Sequence, residues 1–219
     1  MFFGRLYDII IPEEAGGDPH RRTAGCDMDF DLNMNTDMDL GVAGVGRDMG
    51  MNIEVDMFYT AKYSSPLGEL ILVFLGEALT GVWFSDEDKV PFVVDGPVTD
   101  EAPYVYEKTV KWLDTYFSGR NPGKLPAVSA IGSVFSENVW KIVQKIPYGC
   151  TMTYGEIAGK MSENGQNVSP RAVGGAVSRN PIKILIPCHR VIGAEEAVTG
   201  YAAGIERKRK LLDLEKTNS

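Results

Sequence analysis

The chain is poor in the residues from which metal centres, disulfide scaffolds and histidine-based hydrolases are built: it holds three cysteines and two histidines in 219 residues. Cys26, Cys150 and Cys188 are odd in number and far apart, so neither a disulfide framework nor a Cys-x-x-Cys knuckle is encoded, and reduced thiols are expected. No apolar run reaches the length of a membrane span, and the start Met1-Phe2-Phe3-Gly4-Arg5 lacks the hydrophobic region and cleavage site of a signal peptide. The expectation is a chain without membrane contact, acting in the cytoplasm, or in the nucleus if its source is eukaryotic. An overall basic balance is missing too. The net charge is -8, which on its face argues against a nucleic-acid partner. Its distribution reverses that reading: residues 1–56 carry -8, residues 57–122 carry -5, and residues 123–219 carry +5.

What is present is a hydrophobic content of 44%, enough for a substantial core, and a sharp change of character along the chain. From Cys26 to Gly50 the sequence runs through Asp, Met, Asn and Gly with no sustained period of 2 or 3.6. Six of the nine methionines fall between Met28 and Met57. Residues 1–56 therefore read as a disordered or low-complexity extension, dispensable in whole or part and consistent with a start codon taken too far upstream. Regular patterning begins at Met57. Phe58–Tyr63 and Glu69–Leu75, flanking Ser-Ser-Pro-Leu-Gly at 64–68, read as a β-hairpin, and Leu79–Phe84 follows Gly76 as a third strand. After an acidic loop, Tyr104–Ser118 has Tyr106, Val110, Leu113 and Phe117 at helical spacing, with Gly119 beyond its end. Residues 57–122 are thus expected to be a small domain, with a linker over 123–132 entered through Asn121-Pro122-Gly123.

Residues 133–219 are mainly helical, which makes the chain α+β overall. Ser133 caps a helix carrying Phe135, Val139, Val143 and Ile146. Thr153-Tyr154-Gly155-Glu156 is a capping box that opens a second, and Ser169-Pro170 opens a third through Ser178, stopped by Asn180-Pro181. Two short helices joined by a loop in a basic half-chain resemble a helix-turn-helix. The adjacent Gly174 and Gly175 cost roughly 1 kcal/mol each relative to Ala, so either another helix packs on that small face or a bulky ligand such as a duplex approaches it. Glu206–Lys216 is a terminal helix, and its Arg207-Lys208-Arg209-Lys210 run reads as a solvated face rather than a nuclear address.

The run from Ile182 to Ile192 reads as a short buried strand between Pro181 and its own Pro187, and it carries Cys188 next to His189. Neighbours on a strand point to opposite faces, so the two would not share a direct hydrogen bond, and a water relay suits them better than a protease-like dyad. A nucleophilic thiol must be ionised, so the surroundings are expected to lower its pKa.

Taken in order, Tyr154-Gly155-Glu156-Ile157-Ala158, Arg171-Ala172-Val173-Gly174-Gly175-Ala176, Ser178-Arg179-Asn180-Pro181, Ile186-Pro187-Cys188-His189-Arg190-Val191 and the stretch from Gly200 to Lys208 closely resemble the O6-alkylguanine-DNA alkyltransferases, also called methylated-DNA-protein-cysteine methyltransferases. The match is strong from Ser133 to Glu215 and weaker from Met57 to Phe117; residues 1–56 have no counterpart in it. The resemblance implies a small ribonuclease-H-like N-terminal domain followed by a winged helix-turn-helix-like domain bearing the reactive cysteine. It implies single-turnover DNA repair on double-stranded DNA, with Cys188 taking the alkyl group from O6-alkylguanine, and also from O4-alkylthymine, as a monomer without cofactor. By the same resemblance His189 and Glu215, with a bridging water, draw off the thiol proton, and Asn180 holds the turn before the cysteine. Tyr154 and Arg171 rotate the 3′ phosphate and fill the gap left by the flipped nucleotide. The recognition helix meets DNA through Ala172, Gly174 and Gly175, and Tyr201, Ala202 and Lys183 border the pocket. Lys183 replaces a proline found in some members, the loop from Ser162 to Ser169 is long, and Pro170 and Ala203 stand where smaller residues are usual. Some relatives bind zinc through N-terminal Cys and His, but residues 57–121 contain neither, so no metal is expected. Cys150 is taken as a bystander.

Two rival readings differ in class. An alkyltransferase-like protein would bind the lesion without transfer, commonly with tryptophan at the cysteine position; here Cys188 is present. A Cys-His hydrolase would place its histidine far away in sequence, and the only other histidine is His20 in the irregular N-terminal stretch.

Overall fold

The computed structural model describes residues 57–87, 99–163 and 167–217; the expectations for residues 1–56 and for the acidic loop at 88–98 lie outside these. Strands β1 (Phe58–Ser65), β2 (Gly68–Leu75) and β3 (Ala78–Phe84) form an antiparallel sheet in the order β1-β2-β3. The turns set its register: Ser65 faces Gly68 and Leu75 faces Ala78, which leaves two-residue loops. Gly76 supplies the positive φ of 52° that such a loop needs. β1 alternates, with Thr60, Lys62 and Ser64 exposed, as befits a strand with one wet face.

Helix α1 (Tyr104–Phe117) covers the sheet. Tyr59 meets Tyr106 edge-on at 5.6 Å, Tyr63 stacks on Phe117 at 6.1 Å, and the Tyr63 hydroxyl donates to Asp114. The N-cap, Pro103, has no side chain able to accept from the first turn. Glu77, in the β2–β3 loop, accepts the N–H groups of Tyr104 and Val105 instead, so a strand turn caps the helix.

The second half holds α2 (Val134–Gln144), α3 (Tyr154–Ser162), α4 (Pro170–Ser178) and α5 (Ile205–Lys216), with a short parallel pair of β4 (Met152–Thr153) and β5 (Val191–Ile192). The three predicted starts are present: Ser133 accepts from Ser136 N–H, Thr153 and Glu156 form the reciprocal box, and Ser169 accepts from Ala172 N–H ahead of Pro170. The Trp140 indole donates to the Ala176 carbonyl at 2.9 Å and ties α2 to the end of α4.

One apolar core runs through both halves. The open edge of β3 is closed by the rest of the chain. Leu79 exchanges hydrogen bonds with Ala127 and Ser129, each at 2.9 Å, so residues expected to be a linker lie bonded along the sheet. Further along the same edge, Val82 N–H donates to the Pro181 carbonyl and the Val82 carbonyl accepts from Lys183 N–H. The cysteine-bearing segment is thereby fixed to the N-terminal sheet.

Candidate active site

The segment around Cys188 is not the strand that its composition predicts. Only Ile182 bridges to the sheet, and the chain then turns tightly: Leu185 N–H donates back to the Lys183 carbonyl around Ile184, whose φ is 72°. A β-branched residue at positive φ is strained, and here it sits fully buried. Cys188 N–H then donates to the Ile186 carbonyl at 2.7 Å around Pro187, at φ -79° and ψ 62°. These are the angles of an inverse γ-turn, and the proline ring presets the φ it needs. A single 3₁₀ turn, Cys188–Arg190, follows. Hydrophobicity fixed the burial of this run, while two prolines and the tight turns fixed its shape.

Asn180 holds these turns from inside. Its amide nitrogen donates to the Ile186 carbonyl at 2.9 Å and to Cys188 Sγ at 3.0 Å, and its oxygen accepts from Ile182 N–H at 3.1 Å. Behind the cysteine lies a buried network around Glu215. Its Oε1 lies 2.7 Å from His189 Nε2, 2.7 Å from the Tyr116 hydroxyl and 3.0 Å from an Arg190 terminal nitrogen. Its Oε2 accepts from Arg190 Nε at 2.8 Å and Gly149 N–H at 3.1 Å. Burial would raise the Glu215 carboxyl, but the His189 ring and the Arg190 guanidinium bonded to it hold it at about 2. An ionised carboxylate can only accept, so His189 carries its proton on Nε2, and its buried Nδ1, unpaired among the described residues, is left with a free lone pair. Burial also lowers the His189 pKa against the pull of Glu215, so the ring rests neutral.

Cys188 is 5% exposed and lines a cavity of about 270 Å³ with Tyr154, Gly174, Val177, Asn180, Lys183, Tyr201 and Ala202. The expectation that the surroundings lower its pKa is corrected. Burial raises it and outweighs the Asn180 hydrogen bond and the nearby ammonium groups of Lys183 and Lys208, so the sulfur rests as a thiol. Burial likewise holds the Tyr201 phenol well above its ordinary range, and its hydroxyl has no partner among the described residues. A second groove, lined by Thr153, Tyr154, Gly155, Pro170, Arg171, Gly174 and Ala194, adjoins the first through Tyr154 and Gly174. Arg171 and Ala172 are exposed on the first turn of α4. A Cβ on Gly174 would lie 3.8 Å from the Tyr154 ring, and one on Gly175 would lie 3.4 Å from the Arg179 guanidinium. Both are ordinary contacts with side chains, so no other helix demands the two glycines.

Two further readings change. Only half of the basic run of α5 is the solvated face expected: Arg209 and Lys210 are exposed, but Arg207 and Lys208 are engaged by the fold. Lys208 is buried, donates to the carbonyls of Val191, Thr199 and Gly200, and is brought down to about 8 by burial. Arg207 pairs with Asp86 at 2.7 Å and donates to the Leu67 and Ala203 carbonyls. Cys150 is disulfide-bonded, against the expectation of reduced thiols, whereas Cys188 is free. Sequence reasoning missed Arg190, although it stands inside the quoted motif, and Tyr116, Lys208 and Glu87, which reach the site from distant positions. Among the described residues no three His, Cys, Asp or Glu side chains gather as a metal-binding group, and no helix is long and apolar enough to cross a membrane.

The chain is similar to known proteins over most of its described length. The family model described as 6-O-methylguanine DNA methyltransferase, DNA binding domain, matches residues 134–217. The chain is 40% identical over 160 residues to the methylated-DNA–protein-cysteine methyltransferase of Mycobacterium leprae, covering 73% of this chain and 93% of that one. It is 40% identical over 157 residues to the protein of the same name from Methanosarcina acetivorans, covering 72% and 97%. A crystal structure of Mycobacterium tuberculosis O6-methylguanine methyltransferase matches with a TM-score of 0.65 at 38% identity, covering 74% of this chain and 95% of that one. A crystal structure of Mycobacterium tuberculosis OGT in complex with DNA matches at 0.63 and 38% identity, covering 74% and 94%. A small sheet joined to a helical half is common to this chain and those structures.

Proposed function

The chain belongs to the methylated-DNA–protein-cysteine methyltransferase family, and from that membership we propose that Cys188 accepts an alkyl group from O6 of guanine in double-stranded DNA. DNA repair by alkyl transfer is the activity of the chain, and DNA is its partner. The observation that carries the residue assignment is that Cys188 lines a cavity while the next residue, His189, is bonded to a buried Glu215.

The steps follow from the groups present. A water passes the thiol proton from Sγ to the free lone pair of His189 Nδ1, and Glu215 stabilises the imidazolium that forms. The thiolate attacks the alkyl carbon, forming the S–C bond as the C–O6 bond breaks, and the electron pair leaves on the purine, which takes up a proton. A neutral resting thiol suits this order, because ionisation is reserved for a filled pocket. The thioether product has no neighbour able to cleave it, so each molecule reacts once, and O4-alkylthymine follows the same path. Tyr201, whose buried hydroxyl has no partner among the described residues, borders the purine, while Ala202 and Lys183 close the pocket walls.

The reactive carbon lies inside a duplex, so the nucleotide must be turned out at a cost of a few kcal/mol. Arg171 and Tyr154, on the groove next to the pocket, fill the gap and hold the 3′ phosphate. Helix α4 lies in the minor groove through Ala172, Gly174 and Gly175, where readout is degenerate, as repair in any sequence context requires. Helices α3 and α4 with the loop after β5 form the winged helix-turn-helix of a domain at 133–219, joined through 123–132 to a ribonuclease-H-like domain at 57–122. The protein acts as a monomer.

Incubation with an oligonucleotide bearing O6-methylguanine should add the mass of one methyl group on the Cys188 peptide; no gain would refute the assignment. Cys188→Ala should still bind the duplex while transferring nothing. Arg171→Ala should slow transfer from duplex DNA far more than reaction with free O6-alkylguanine, and equal losses would exclude the gap-filling role.

A further inference from the structure

The turn that follows β3 reaches a side chain that lines the cysteine pocket. Glu87 Oε1 accepts from Phe84 N–H at 2.8 Å, which locks the carboxylate over the strand end, and its Oε2 lies 3.1 Å from Lys183 Nζ. The two side chains are 8% and 4% exposed, so the pair is nearly dry. Lys183 lines the same 270 Å³ cavity as Cys188, and its backbone is bonded to β3 at Val82. A charge pair shielded from water, with one end lining the cavity of a buried sulfur, acts through a low effective dielectric, so it bears on the ionisation of that sulfur far more than a surface pair would.

We propose that Glu87 is a positioning residue of the N-terminal half that holds and partly neutralises Lys183 beside Cys188, so that this ion pair sets the acidity of the thiol from across the molecule. It deepens the reading of Cys188 as acceptor and rests on it for its biological meaning, although the acidity of the sulfur can be measured without DNA. The other groups that face the sulfur are named by the geometry. Asn180 donates to it, Tyr154 comes from α3, Tyr201 from the loop before α5, Lys208 from α5, and His189 follows it in the chain. Lys208 donates to three backbone carbonyls, whereas Lys183 is held, among the described residues, by one carboxylate whose charge can be removed. The pair is therefore the adjustable part of the field. A neutral residue in place of Lys183 removes a positive charge that favours thiolate, while a neutral residue in place of Glu87 leaves that positive charge uncompensated. The two changes must act with opposite sign.

The test is the pH dependence of Cys188 carboxamidomethylation by iodoacetamide, in which thiolate displaces iodide, followed by mass analysis of the Cys188 peptide of the full chain. Lys183→Met should move the midpoint up by about one pH unit, and Glu87→Gln should move it down by a comparable amount. Lys183→Arg should restore the wild-type midpoint. A fall in thermal stability with unchanged midpoints would show the pair to be structural only and overturn the proposal, as would shifts of the same sign in Lys183→Met and Glu87→Gln. Methyl transfer from the lesion oligonucleotide, measured on the same samples, keeps the two readings apart. A wild-type chain that reacts with iodoacetamide but not with the lesion defeats the acceptor assignment and leaves the midpoint shifts to be judged on their own.

Discussion

Glu215 takes five hydrogen-bond donations while fully buried, and this one carboxylate orients the histidine, the arginine and a tyrosine from the other half of the chain. Its replacement leaves Arg190 charged, buried and unpaired. Glu215→Gln should therefore cost about 3–5 kcal/mol in urea unfolding and slow transfer, because the Nε2 proton of His189 is no longer fixed by an anion. The pH dependence has a defined sign. The carboxyl ionises at about 2 in the folded protein against an ordinary 4.5, so its contribution is complete above about 4.5 and disappears as the pH falls towards about 2. Unfolding free energies followed across that window should drop by roughly 3 kcal/mol more in the wild type than in Glu215→Gln. Tyr116→Phe removes one donor to Glu215 and should cost about 1–2 kcal/mol, with slower transfer measured on the lesion duplex. A Tyr116→Phe chain with unaltered transfer would confine that hydroxyl to a structural role.

Helix α4 presents a conflict between stability and use that can be measured. Gly174 lines both the cysteine cavity and the Arg171 groove, and a methyl group there would meet the Tyr154 ring only at ordinary distance. Gly174→Ala should thus stabilise the fold by up to about 1 kcal/mol in urea titrations. The same methyl stands on the face proposed to meet DNA, so duplex affinity should fall; equal affinity would place the duplex elsewhere. Elements like this one were legible in the sequence because their signals are local: Ser133, the Thr153–Glu156 box and Ser169-Pro170 each announce a helix within four residues. The hairpin was legible for the same reason. The segment at 182–192 was not, since aliphatic content reports burial and leaves the backbone path to Pro187, Asn180 and the strained Ile184. Tyr116 and Glu87 escaped altogether. Their contacts with His189 and Lys183 span 73 and 96 positions, and nothing local marks a residue whose partner is supplied by the fold. The basic run on α5 misled for the converse reason: four adjacent cations look solvated until carbonyls and Asp86 are brought to two of them.

At the scale of the whole molecule, the core is shared and the charge is not. The edge of β3 receives both the 127–129 segment and the cysteine segment, and Tyr116 and Glu87 reach from one half into the site of the other. The N-terminal half therefore supplies side chains to the proposed site. Charge is divided differently: residues 1–56 carry -8 and residues 123–219 carry +5, so a polyanion meets attraction from one part of the chain and repulsion from another. Residues 57–219 on their own have zero net charge. Binding to an undamaged duplex, free of chemistry, isolates the effect. A chain of residues 57–219 should bind severalfold more tightly than the full chain near 10 mM salt, where fields extend about 30 Å, and the difference should shrink towards nothing near 1 M, where they extend about 3 Å. A difference that persists at high salt would mean that residues 1–56 act on DNA binding through contact rather than through field.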